Sequence, residues 1–282
     1  MTERLADVSA RIDGVRQLGA VVNAMKGIAA ARARSARAQL GAVDSYAATI
    51  SAAMARLVPA DGGAPVSRAP TDTSRTGLLV FLAEQGFAGA FSERVLDSIS
   101  AELGSSVLLV VGTRGLSIAA SRDLEPFWSA PMPSHSPGIP KLADAITQAI
   151  YRALDGAHFE HLDVIHARWK AGRTEIARRS LFPIDLSDLH APAGPRPLTQ
   201  LPPEALLASF GADYVHAQVC KAALHAFAAE NEARMEAMTS AASQIARELE
   251  TFQATLRRVR QEAITAEIIE LGTGATISRE AD

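Results

Sequence analysis

"ENEARMEAMTSAASQIARELETFQATLRRVRQEAITAEIIELGTGAT", residues 230–276, decides how this chain folds. Met235, Ala242, Leu249, Leu256 and Ala263 recur every seven residues, and Met238, Ile245, Phe252, Val259 and Ala266 recur with the same period, three places on. Apolar residues at both of these heptad positions make one stripe along a helix, which predicts a coiled-coil seam. Arg257, Arg258, Arg260, Gln261 and Thr265 lie off the stripe. A helix that only packs needs the stripe alone, so the polar set requires another explanation. One reading is a solvated helix face. The other is a cationic collar: guanidinium forks suit carboxylates, while Gln261 and Thr265 add neutral hydrogen bonds, so the collar would meet an acidic partner surface.

A second helix must cover the stripe, and proline distribution locates it. All 14 prolines fall from Pro59 to Pro203. Segments 1–57 and 204–275 are thereby predicted as two long helices flanking a mixed centre. In the first, Leu5, Val8, Ile12 and Val15 set a seam. Beyond Gly19 the apolar residues Leu18, Val22, Met25 and Ala29 suggest a shifted register, a stutter in the coil. An alanine-rich stretch with the basic run Arg32, Arg34 and Arg37 follows, favouring helix. Residues 1–57 hold eight Lys/Arg against four Asp/Glu, whereas 204–282 hold seven against twelve. Opposite signs suit the two ends as partners in an antiparallel coiled coil, although exposed pairs add little each.

The centre, 76–190, reads as a Rossmann-like α/β domain. "GLLVFLA" (77–83) and "SVLLVVG" (106–112) are runs of strand length, with an amphipathic helix expected over 91–103 between them. A helix over 139–154 carries Pro140 in its first turn. "LDVIHARW" and "TEIARRSLF" read as strands around the turn "KAGR". This alternation predicts a layered, largely parallel sheet. Residues 126–140 and 191–203 read as proline-rich connectors.

Composition sets bounds on function. The chain of 282 residues is 48% hydrophobic and 21% charged, with net charge −3 and pI near 6.2. Such a balance does not point to nucleic acid. There is no apolar run of membrane-spanning length and no signal-peptide pattern. Cys220 stands alone, which excludes an internal disulfide, and reads as a small apolar residue.

No motif for catalysis emerges. "EQGFAGAF" (84–91) sits where phosphate loops sit, after a strand and before a helix, with Gly86 and Gly89. It lacks the Lys-Ser/Thr of a P-loop and the third glycine of a dinucleotide fingerprint, so it is read as an ordinary strand–helix turn. His158, His161 and His166 match no common zinc spacing and read as loop and strand histidines. No catalytic residue, metal ligand or cofactor is expected.

Against this background, 11–39 ("RIDGVRQLGAVVNAMKGIAAARARSARAQ") and 230–276 resemble the two ends of the gamma subunit of F-type ATP synthases. The resemblance rests on Ala24-Met25 and Ala29-Ala30, and on Glu232, Ala233-Arg234-Met235, Ala237-Met238, Arg260-Gln261, Ile264-Thr265 and Glu267-Ile268. "EQGFAGAF" resembles the family's glycine-containing loop after the first central strand. The resemblance implies a non-catalytic rotor shaft, its helices set inside a ring of three alpha and three beta subunits. It implies a head beside the epsilon subunit and on the membrane c-ring, at the cytoplasmic face of a bacterial inner membrane, with no direct membrane insertion. It implies ring contacts at Met25, Arg32, Arg257, Arg258, Arg260, Gln261 and Thr265. The departures are at Ala83–Phe87, where the family often has Thr-Asp-Arg-Gly-Leu, at Leu18–Ala20 and at Leu256-Arg257. They suggest a divergent branch, similar to the alternate bacterial F-type ATPase set. Without the resemblance, two other readings stay open: a coiled-coil adaptor with an α/β head, and an enzyme binding a nucleotide at Gly86–Gly89.

Overall fold

The computed structural model describes residues 2–57, 75–184 and 198–280. Parts of the expected head (185–190) and of the second connector (191–197) lie outside the described residues. The elements run α1 (Thr2–Leu57), β1 (Thr76–Phe81), α2 (Phe91–Asp97), β2 (Val107–Val111), α3 (Thr113–Ala120), β3 (Trp128–Ala130), a 3-10 turn (Ser136–Gly138), α4 (Ile139–Asp155), β4 (His161–Lys170), β5 (Arg173–Phe182) and α5 (Pro203–Glu280). The chain forms two compact units, Met1–Ile28 with Met235–Asp282, and Ala29–Arg234.

In the first unit, Val22, Met238 and Ile245 form a buried cluster, flanked by Val15, Met25, Ala241, Ala242 and Leu249. All ten predicted heptad positions of α5, from Met235 to Ala266, are buried or half-buried. Of the shifted register expected on α1, Val22, Met25 and Ala29 turn inward and Leu18, 53% exposed, does not. Positions 5, 8, 12, 15, 19, 22, 26 and 29, all buried or half-buried, also alternate by three and four along the helix. The seam passes through Gly19 and Lys26, which a search for large apolar residues skips. At Gly19 the missing side chain is what fits: a Cβ there would stand 3.3 Å from Ile245 Cγ2. Truncating Ile245, 9% exposed, to alanine is expected to lower stability by roughly 2–5 kcal/mol. Leu256 is only half-buried, so Leu256→Ala should fall below that range. Denaturant melts followed by circular dichroism measure both, and equal losses would contradict the burial difference.

In the second unit α1 and α5 again run antiparallel. Ile50 and Met54 pack on Tyr214, Leu207 and Phe210, and Lys221 Nζ meets Asp44 Oδ1 at 2.6 Å. A five-stranded sheet in the order β3-β2-β1-β4-β5 forms the centre. The sheet is mixed: β1 pairs in parallel with β2 and β4, β2 with β3, and β5 joins β4 antiparallel. The β4–β5 hairpin turns through Ala171 and Gly172, both with positive φ (50° and 79°), as the twist of two-residue hairpins favours.

Strand alternation builds two cores. Leu79, Phe81, Leu109, Val111, Leu162 and Val164 face α4 and α5, while Leu78, Val80, Leu108, Val110, Ile165 and Ala167 face the other way, towards α2 and α3. Two expectations need correction. The helix predicted over 91–103 ends at Asp97 and continues as i→i+3 turns, where Ser98 and Ser100 favour local backbone bonding over helix. The connector 126–140 contains β3, a three-residue edge strand, where flanking prolines are tolerated because no further strand pairs outside it.

Candidate functional site

On α5 the predicted collar residues Arg257, Arg258, Arg260, Gln261 and Thr265 are all exposed. Arg258 Nε lies 3.8 Å from Glu262 Oε1 one turn on, and Thr265 Oγ1 donates to the Gln261 carbonyl at 2.9 Å. Both contacts stay within the helix, leaving the collar's outer donors available. The collar is flanked by apolar side chains: Ile264, Ile268 and Leu271 are exposed at helical spacing. On α1, Leu18, Val21 and Ile28 are likewise exposed. Met25, expected as a ring contact, is half-buried against the seam cluster. Arg32 belongs to the second unit, where its Nη1 donates to Gln85 Oε1 at 3.2 Å.

The loop after β1 is held by a buried polar junction. The chain passes from β1 to β2 and β3 on one side, then through α4 to β4 on the other. The C-terminal end of β1 is therefore a topological switch point, where doubly wound sheets usually bind ligands. Here α5 occupies it. Glu230 accepts the backbone N–H groups of Glu84 and Gln85, each at 3.1 Å. Arg234 donates to the carbonyls of Gln85 and Gly86, each at 3.0 Å, to Asn231 Oδ1 at 3.1 Å, and to Glu230. Glu232 pairs with Arg37. Glu84 in turn accepts from Thr113 N and Oγ1, both at 2.9 Å, and from Met132 N at 2.8 Å. Loop N–H groups that would cradle a phosphate thus serve a carboxylate, and an anion brought there would meet that carboxylate's charge. The sequence reading missed Glu230 and Asn231 as structural anchors. Their signal was present: "ENEAR" places charged and amide groups among alanines, and Ala226–Arg234 is buried throughout.

The three histidines do not converge. His158 packs at a tilt against Phe127, 4.6 Å between ring centres, and His166 lies 5.6 Å from His225. Among the described residues no group of three His, Cys, Asp or Glu is placed to hold a metal ion. Burial, helped by His225, Arg168, Lys221 and Arg179, pushes the His166 pKa down to about 3. The unfolded chain therefore binds a proton at this residue below about pH 6.5, and the folded chain does not until about pH 3. His166 should make stability fall as pH drops from 6.5 towards 3, by up to roughly 1.4 kcal/mol per pH unit. His166→Gln should flatten that slope in pH-dependent melts, and an unchanged slope would refute the assignment. Burial also pushes the Cys220 thiol up to about 11, which leaves it inert.

Comparison with known proteins accords with this architecture. The family model described as ATP synthase matches residues 4–276. An ATP synthase gamma chain of Moorella thermoacetica is 27% identical over 277 residues, covering 96% of this chain and 98% of that one. The gamma chain of Frankia casuarinae is 28% identical over 295 residues, covering 98% of each. Among solved structures, a chain of the Euglena gracilis mitochondrial ATP synthase rotor aligns with TM-score 0.66 at 14% identity, covering 94% of this chain and all of that one. One from the central stalk and c-ring of the Tetrahymena thermophila mitochondrial ATP synthase aligns at 0.54 and 19% identity, covering 78% of this chain and 99% of that one. With the match spanning nearly its whole length, the chain belongs to the ATP synthase gamma-chain family and is a non-catalytic, central-stalk gamma subunit of an F-type ATP synthase.

Proposed function

We propose that this chain is the shaft through which ion flow at a membrane c-ring is coupled to ATP synthesis or hydrolysis in an alpha/beta ring. Segments 1–57 and 204–275 act as the shaft, and 76–190 acts as the head that meets the c-ring and an epsilon subunit. The reading places the chain at the cytoplasmic face of a bacterial membrane, and no helix among the described residues is long and apolar enough to cross one.

The observation that carries this reading is the uneven dressing of the shaft. Beyond the seam, α5 presents cations, amide and hydroxyl beside exposed Ile264, Ile268 and Leu271, whereas α1 presents Leu18, Val21 and Ile28. Exposed apolar residues in such density mark contact surfaces. A ring site changes its ligand affinity only if its contacts with the shaft differ between conformations. A rod with unlike flanks supplies that difference at each angle. Arg257, Arg258, Arg260, Gln261 and Thr265 form the polar catch against an acidic element of the ring. Met25 and Arg32 on α1 are further ring contacts.

Arg260→Ala and Gln261→Ala should each reduce ATP-driven ion pumping in membranes several-fold while leaving the melting curve of the chain nearly unchanged. Pumping at the unaltered level in both variants would refute the catch. Co-purification separates the shaft from an adaptor: a shaft brings alpha and beta subunits and an ATPase activity with it.

A further inference from the structure

Between β4, β5 and α5 lies a cavity of about 450 Å³ that the shaft reading does not use. From the sheet come Val164, His166, Arg168, Arg179 and Leu181, and from α5 come Gln218, Lys221 and His225. Cross-strand register explains the grouping, because Val164 pairs with Arg179 and His166 with Ala177, placing these side chains on the sheet face that α5 covers. Arg178, one place along, faces the opposite side, where Glu102 and Asp163 hold it.

Among the described residues no carboxylate lines the cavity. Arg168 leans on Glu175 at 3.2 Å and Lys221 on Asp44 at 2.6 Å, whereas the exposed Arg179 meets, among the described residues, the neutral Tyr214 hydroxyl at 3.2 Å. His166 is 8% exposed, and its Nδ1 has no hydrogen-bond partner. Gln218 is equally buried. Arg179 thus lacks a carboxylate partner among the described residues, and the buried His166 Nδ1 lacks a hydrogen-bond partner, which leaves polar capacity at this cavity for a ligand to meet. Burial, with a smaller contribution from neighbouring cations, holds both histidines towards their neutral forms. Each neutral imidazole still carries one N–H to donate. The space is of the size that small-molecule ligands occupy.

We propose that this cavity binds a phosphate-class oxyanion, free or carried on a small molecule, held by Arg179 and Lys221 with His166, His225 and Gln218 as neutral donors. The guanidinium fork of Arg179 takes two oxygens, and the Lys221 ammonium acts as a point charge.

Calorimetric titration of the full-length chain at low ionic strength with inorganic phosphate, pyrophosphate and ADP tests this. Saturable one-to-one binding of at least one probe is expected. Similar affinity for pyrophosphate and ADP identifies the phosphates alone as the recognised group, and much tighter ADP binding identifies a phosphorylated small molecule. Arg179→Gln should weaken binding about tenfold or more. Arg173→Gln, at the exposed hairpin turn, should leave it unchanged. If Arg179→Gln unfolds the chain, Arg179→Lys and Lys221→Gln, checked by circular dichroism, carry the test. The proposal is overturned if none of the three probes saturates, or if the folded cavity variants bind as the unaltered chain does.

Discussion

Glu230→Ala should destabilise the second unit by about 3–5 kcal/mol, the range seen when one partner of a buried ion pair is removed. The Glu230 side chain is 4% exposed and that of Arg234 6%. Glu230 neutralises Arg234 and accepts the N–H groups of Glu84 and Gln85. Without it, a guanidinium stays buried with only carbonyl and amide oxygens around it, and two backbone donors lose their acceptor. Glu230→Gln keeps one acceptor oxygen in place and should lose less than Glu230→Ala. The double variant Glu230→Ala/Arg234→Ala should fall short of the sum of its single losses, because the second change removes the stranded charge. Denaturant melts of the parent, Glu230→Ala, Glu230→Gln, Arg234→Ala and the double variant provide the comparison. A Glu230→Ala loss below about 1 kcal/mol would mean that the junction is solvated and does not anchor the β1 loop to α5.

An effect of similar size is expected where α3 meets the end of β1. Gly112 adopts φ 116°, and a Cβ there would stand 2.4 Å from the Leu82 carbonyl oxygen. Gly115 lies in α3, and its Cβ would fall 2.0 Å from Leu82 Cβ. Gly112→Ala meets both a strained backbone region, at roughly 1–3 kcal/mol, and a collision with main chain that cannot swing away. Gly115→Ala meets the collision alone, so it should lose less than Gly112→Ala although its gap is shorter. Leu82 is almost wholly buried, so relief at either site disturbs the sheet core. Expression yield and melting temperature of the two variants are the measurements. A Gly112→Ala chain as stable as the parent would show that α3 does not approach β1 this closely.

The extent to which the sequence could be read follows the range of the interactions involved. The α5 seam was legible because its signal repeats every turn or two within one helix, and all ten heptad positions turned inward. β1, β2 and the β4–β5 hairpin were legible as runs of strand-forming residues, and α4 as an amphipathic repeat behind Pro140. On α1 beyond Val15 the same approach found Val22, Met25 and Ala29 but misplaced Leu18, which is exposed. The seam there includes Gly19 and Lys26, and only the position of Ile245, more than 200 residues away, shows why a glycine fits. β3 was hidden among prolines because three residues carry no period, and its existence depends on β2 lying beside it.

The chain's own residues thus determined two long terminal helices, an alternating centre, an exposed cationic collar and the absence of any recognisable catalytic motif. Those properties depend on local spacing, which the order of residues states directly. Tertiary structure alone decided that Glu230 and Arg234 fill the switch point after β1, and that Arg179, Lys221, His166 and His225 surround one cavity. These residues come from segments far apart in the chain, and their chemistry depends on shared burial, which no single segment encodes.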